Sequence, residues 1–170
     1  MANVSTYVEW IRKGINYFVM LAERLPQHSF LLVGMDRSIL EQFLKRPAPV
    51  NVEIVPRVQS DDLIKAYSRT KVYVQLSLSE GMPNALCEAM LCECVPVGSN
   101  VNGIPNIIGD TGIVVQKQDM AEMEAALVKA LTLDKGRQAR ERIIGQFPPE
   151  KRLSELIEVF REAMKSNQTP

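Results

Sequence analysis

Five short apolar runs punctuate this chain at regular intervals: Phe30–Val33, Val52–Val55, Val72–Leu76, Val95–Val97 and Gly112–Val115. Between them lie stretches whose apolar residues recur at helical spacing. Ile15, Phe18, Val19, Ala22 and Leu25 share one face of a helix predicted over Ile11–Leu25, which Pro26 ends. Further helices are expected at Ser38–Leu44, from Ser60 (as N-cap, with Asp61 and Asp62 in the first turn), and at Pro83–Cys92, Met120–Leu133, Lys135–Gln146 and Glu150–Met164. Strands that alternate with helices of this length form a parallel sheet with helices on both faces. The strands read as largely continuous apolar runs, as expected when both faces are covered. Pro96 inside its run points to an edge strand or a strand start. The fold class is therefore α/β and Rossmann-like, in a single domain over 1–170 with a C-terminal helix at about 150–165.

The remaining sequence bounds follow. A chain of 170 residues can bury a full core, and 46% apolar with 24% charged residues is a globular composition. Lys and Arg balance Asp and Glu, so net charge gives no ground for nucleic-acid binding or attraction to an anionic membrane. No apolar run approaches the roughly 18 residues of a membrane span, and no basic-then-apolar leader opens the sequence. Cys87, Cys92 and Cys94 are odd in number and clustered, and His28 is far from them in sequence. They read as reduced, buried small residues of a cytosolic protein, with no metal site.

In a doubly wound sheet, ligands bind beyond the carboxyl ends of the strands. The loops at that edge are Gly34–Asp36, Pro56–Val58, Leu78–Met82 and Gly98–Gly103. One of them opens the run LSLSEGMPNALCEAM, Leu76 to Met90. Pro83 suits the first turn of a helix, where its absent N–H is not needed. Gly81 permits a sharp turn and close backbone approach to a ligand. The amides of Asn84 and Ala85 would point outward at the positive end of the helix dipole, which is an anion site. Glu80 lies before the helix and Glu88 more than one turn into it, and carboxylates accept well from paired sugar hydroxyls. A phosphate between two sugars satisfies both requirements, as in a nucleotide sugar. Arg12 and Lys13, before Gly14, could supply cations to its diphosphate.

Glu80 and Glu88 with Gly81 and Pro83 between them, Glu88-Ala89-Met90 and Val95-Pro96-Val97 resemble the E-x7-E region of retaining GT-B glycosyltransferases of family 4. Lys13-Gly14, Leu32-Val33-Gly34, Tyr67 with Val72–Val74, Gly103–Ile108 and Thr111–Val114 extend the resemblance in order, from about Lys13 to Leu133. It implies the C-terminal half of a two-domain enzyme, holding a nucleotide-sugar donor, with the N-terminal acceptor domain absent. Glu88 would bind the ribose hydroxyls and Glu80 those of the donor sugar. Gly81, Met82, Pro83, Asn84 and Ala85 would hold the distal phosphate and sugar through backbone, joined by the Gly34 turn. Lys13, with Arg12, would neutralise the departing diphosphate, and backbone at Arg57 and Val58 would meet the base. No cofactor or metal is expected. The acceptor would be a polysaccharide or lipid-linked sugar, and the location cytoplasmic or peripheral at the inner membrane surface. The fragment is expected to be inactive alone.

Four departures from the family pattern stand out. Arg12 adjoins Lys13, where the family's arginine lies several residues earlier. No strand is evident before Lys13. Cys94 and Val95 precede Pro96 where the family has glycine, and Asn106 replaces a common glutamate. The first two bear on the completeness of the phosphate site. Two other readings share the architecture, a GT-B nucleotide-sugar epimerase half and a non-catalytic Rossmann-like binding module, and the glutamate pair separates them from a sugar transferase.

Overall fold

The computed structural model describes residues 7–116, 119–148, 150, 157, 158 and 161. Most of the predicted helix Glu150–Met164 lies outside these residues. The element order is α1 (Tyr7–Arg12), α2 (Ile15–Arg24), β1 (Phe30–Val33), α3 (Arg37–Leu44), β2 (Val52–Val55), α4 (Ser60–Ser68), β3 (Val72–Gln75), α5 (Asn84–Leu91), β4 (Val95–Ser99), α6 (Ile104–Ile108), β5 (Ile113–Val115), α7 (Met120–Thr132) and α8 (Gly136–Gln146). All five expected strands form, and every pairing is parallel. The α/β class is therefore observed.

The strands make two sheets where one was expected, β1–β2 and β3–β4–β5. They are held in a common layer by what packs on their faces. One core cluster joins Phe30 and Val52 of the first sheet to Val95, Val97 and Val115 of the second, through Leu21 and Ala22 of α2 and Met123, Ala126 and Leu127 of α7. On the opposite face, Leu63 and Tyr67 of α4 form a cluster against which both Val33 and Tyr73 pack. A third cluster, Leu86, Met90, Ile104, Ile107, Ile108, Ala139 and Ile143, seats α5, α6 and α8 together.

Local chemistry explains where the elements depart from the sequence reading. The single helix expected over Ile11–Leu25 is broken at Gly14, which takes φ 68 in the left-handed region. A side chain is disfavoured there twice over, since a Cβ would run into the carbonyl oxygen of Leu76. Ser60 is the first residue of α4, not its cap; Gln59 holds the cap position without a side-chain hydrogen bond. Asp119 is the side-chain cap of α7, accepting from the N–H groups of Ala121 (2.7 Å) and Glu122 (3.2 Å). Residues 104–108, not among the helices expected from the sequence, form α6. Pro96 sits in β4, whose five residues are all buried between β3 and β5, so it is neither on an edge strand nor at the first position. The ladder accommodates it. The Val95 N–H donates to Lys71 O, facing β3, so position 96 faces β5, which pairs only from Ile113 opposite Val97. The N–H that proline lacks falls before that ladder begins.

Candidate functional site

The α1–α2 junction is clasped to the end of β3 by backbone. The Leu78 N–H donates to Arg12 O at 2.8 Å, and Gly14 lies against Leu76. This places Lys13, from the first turn of the chain, over the loop that carries Glu80, 67 residues later. The Lys13 ammonium donates to Glu80 Oε1 in an ion pair whose carboxylate side chain is only 10% exposed. The Arg12 guanidinium stands 4.0 Å from the same oxygen and donates to Ser79 O at 3.3 Å. Arg12, Lys13 and Glu80, far apart in sequence, are thus brought together in the fold.

Beneath them runs a buried polar chain that sequence reasoning missed. Tyr73 Oη donates to Gln75 Oε1 (2.8 Å), and Gln75 Nε2 donates to Ser77 Oγ (2.7 Å) and reaches Glu80 Oε1 at 3.4 Å. Ser77 Oγ donates to Glu80 Oε1 (3.0 Å), while Ser99 Oγ of β4 donates to Ser77 O (2.6 Å). Gln75, Ser77 and Ser99 are all buried, so these groups need partners and find them in one another. All the contacts converge on Oε1. Oε2 of Glu80 is left with no protein hydrogen bond among the described residues. The signal was present as Gln75 at the end of the run VYVQ, with Ser77 just beyond it and Ser99 at the end of β4, polar residues at or beside buried strands.

Pro83 is the residue before α5 (φ −73, ψ 108) rather than its first helical residue. The N–H groups of Leu86 and Cys87 bond back to Pro83 O. Those of Asn84 and Ala85 have no backbone acceptor among the described residues, as a free helix start requires. Gly81 has no positive φ, and a Cβ there would meet nothing within 4 Å. No tight turn demands glycine at this position; what it provides is open space. Glu88 is exposed on α5, and Tyr67 Oη stands 3.5 Å from its Oε2. Burial first, then the neighbouring Glu88 charge, pushes the Tyr67 phenol up from its ordinary value, so it remains protonated and able to donate.

A cavity of about 770 Å³ opens among these groups, with Lys13, Gly34, Glu80 and the run Met82–Ala85 at its mouth. Arg12, Gly81 and Glu88 lie beside it on the same loop and helix but do not line it. The Gly34 N–H is taken by Val55 O (2.9 Å), so that turn (φ 97) offers shape and not a donor. Val58 packs on the cluster containing Tyr67, whereas Arg57 is exposed and apart from the cavity. Among the described residues, no group of three or more His, Cys, Asp or Glu could hold a metal ion.

The family model for glycosyl transferases group 1 matches residues 2–133. The chain belongs to that family. The O-antigen chain mannosyltransferase B of Escherichia coli is 28% identical over 106 residues, 62% of this chain and 28% of the relative. The N-acetyl-alpha-D-glucosaminyl L-malate synthase of Bacillus anthracis is 29% identical over 128 residues, covering 69% and 34%. This group 1 chain thus spans about a third or less of the curated relatives' length. Its fold matches sucrose-phosphate synthase from Thermosynechococcus elongatus with a TM-score of 0.73 at 24% identity, over 91% of this chain and 43% of the other. The architecture is that of a GT-B glycosyltransferase half. No described helix is long and apolar enough to cross a membrane.

Proposed function

We propose that this domain binds the nucleotide-sugar donor of a retaining glycosyltransferase that moves a hexose from a nucleoside diphosphate to a saccharide acceptor. The observation that carries the reading is the convergence of Lys13, the Glu80 carboxylate and the free amides of Asn84 and Ala85 on one cavity mouth. A cation beside two outward amides suits a diphosphate. A carboxylate held by one oxygen, with the other open, suits sugar hydroxyls. Glu88, steadied by the Tyr67 hydroxyl, would take the ribose diol, and backbone near Val58 would face the base. As the leaving diphosphate gains charge, Lys13 would shift from Glu80 toward it, stabilising a charge that grows in the transition state. The acceptor side belongs to a second domain, so the domain alone binds donor without transferring sugar.

Calorimetric titration with UDP, GDP and ADP and their glucose or mannose conjugates tests this, on wild type and Glu88→Ala. Binding of one diphosphate series, weakened at least tenfold in Glu88→Ala, is expected. Equal affinity in the two proteins would remove the ribose role of Glu88, and binding of none would overturn the donor reading.

A further inference from the structure

Gln75 is the one residue of β3 that packing does not explain. It ends the strand at 7% exposure, where a buried amide costs free energy unless its hydrogen bonds are met. Strand alternation puts Tyr73, Gln75 and, just beyond the strand, Ser77 on one face, while Val72, Val74 and Leu76 turn to the core shared with α2 and α7. The amide can sit two ways. Flipped, its carbonyl oxygen would lie 3.4 Å from Glu80 Oε1, oxygen against charged oxygen. As it stands, its NH2 group donates to Ser77 Oγ (2.7 Å) and faces Glu80, and its oxygen accepts from Tyr73 Oη (2.8 Å). Burial first, then Tyr67, Glu80 and Glu88, pushes the Tyr73 phenol well above its ordinary value, so that proton stays to be donated. The amide also decides where the Ser77 proton goes. A hydroxyl has one proton; with the Gln75 N–H against its lone pair, it turns that proton to Glu80 Oε1 at 3.0 Å. The donors thus run one way, Tyr73 to Gln75 to Ser77 to Glu80, and each strengthens the next.

We propose that Gln75 is a positioning residue of the site: by steering the Ser77 proton onto Oε1 it fixes the Glu80 carboxylate and presents Oε2 to the mouth as a bare acceptor. The Lys13 ammonium meets the same Oε1, but it ends a flexible stem, and in the donor reading it moves to the diphosphate. Gln75 and Ser77 are buried at the end of β3 and just beyond it, and they stay. Glu80 then keeps its direction when its cation leaves. An oxygen with no donor from the described residues takes a group that brings a proton. The ligand class is therefore a neutral sugar with a hydroxyl at this point; a carboxylate there, as on a uronic acid, would be repelled. The identity of the ligand rests on the donor reading, whereas the fixing of Glu80 does not.

The test compares wild type, Gln75→Leu and the double variant Tyr73→Phe, Gln75→Leu. Leucine fills much of the same space without the amide. The second change removes the hydroxyl that the first leaves unpaired, so the double variant recovers the Tm that Gln75→Leu loses. Three-bond side-chain couplings in NMR report the Glu80 rotamer without any ligand. One rotamer in wild type, and averaging in both variants, is expected. Titration with UDP, GDP and ADP and their glucose or mannose conjugates reads the consequence. In the series that binds, the nucleotide sugar should lose about fivefold in affinity in both variants, with the bare diphosphate binding as in wild type. A purely structural glutamine would instead give sugar affinity that returns with Tm in the double variant. That result, or a single Glu80 rotamer in both variants, overturns the proposal. If no nucleotide binds wild type, it is the donor reading that fails, and the couplings still decide the role of Gln75.

Discussion

Replacing Gly14 with alanine isolates how the site is assembled. Two costs arise. The backbone at position 14 has φ 68, a conformation that disfavours an L side chain by about 1–2 kcal/mol. The added methyl also meets the carbonyl oxygen, carbonyl carbon and Cβ of Leu76, mostly backbone that cannot swing aside, and overpacking of this kind costs typically 1–3 kcal/mol. The sum is about 2–5 kcal/mol. For a chain of this size each kcal/mol moves Tm by about 2–4 °C, so a fall on the order of 5–15 °C is expected in thermal unfolding followed by circular dichroism. Gly81→Ala serves as the internal comparison. It also adds one methyl to a site loop, but at ordinary φ and into open space, so its stability should stay within about 0.5 kcal/mol of wild type. Equal stability of the two variants would refute the argument that the α1–α2 junction is locked onto β3 by backbone contact.

Three further outcomes follow from particular contacts. Ser77→Ala removes a hydrogen bond to Glu80 and strands Gln75 Nε2; nucleotide-sugar affinity should fall about fivefold, roughly 1 kcal/mol, with the bare nucleoside diphosphate little affected in the same titration. Burial first, then Cys92, pushes the Cys94 thiol from 9.0 up to about 12. The folded state therefore holds that proton after the unfolded state has lost it, so stability is intact below pH 9 and declines toward pH 12; urea midpoints across that range should decline less steeply in Cys94→Ala. Arg142 donates to Ile107 O (2.8 Å) and Asn106 O (2.7 Å) at the end of α6, and Arg142→Met should cost about 1.5–3 kcal/mol in urea unfolding.

The alternation of strands and helices was legible because burial on two faces writes itself into apolar runs such as FLLV and VPV. The ion pair of Lys13 with Glu80 was not legible, since nothing local links residues 67 apart and the family resemblance gave the two separate roles. Three further things were hidden. The break at Gly14 was masked by helical spacing that persists on both sides of it. The central place of Pro96 depends on which way one N–H points, a matter of register with β3 and β5 rather than of composition. The Tyr73–Gln75–Ser77 chain emerges only when strand alternation and the loop above it are assembled in space, because each member alone looks like an ordinary polar residue.

Gly103 gives the site one more boundary condition. A Cβ at that position would press on the carbonyl oxygen of Gly81, so the loop after β4 rests main chain to main chain on the loop bearing Glu80. Together with Gly14 on Leu76, this leaves the Glu80 loop braced from two sides by segments that bring no side chain to the contact. Such bracing has an asymmetric tolerance. Side chains around the mouth can be exchanged to suit a different ligand without moving the frame, whereas a single methyl at position 14 or 103 displaces it. Divergence in what is bound is therefore cheap in this architecture, and divergence in where it is bound is not.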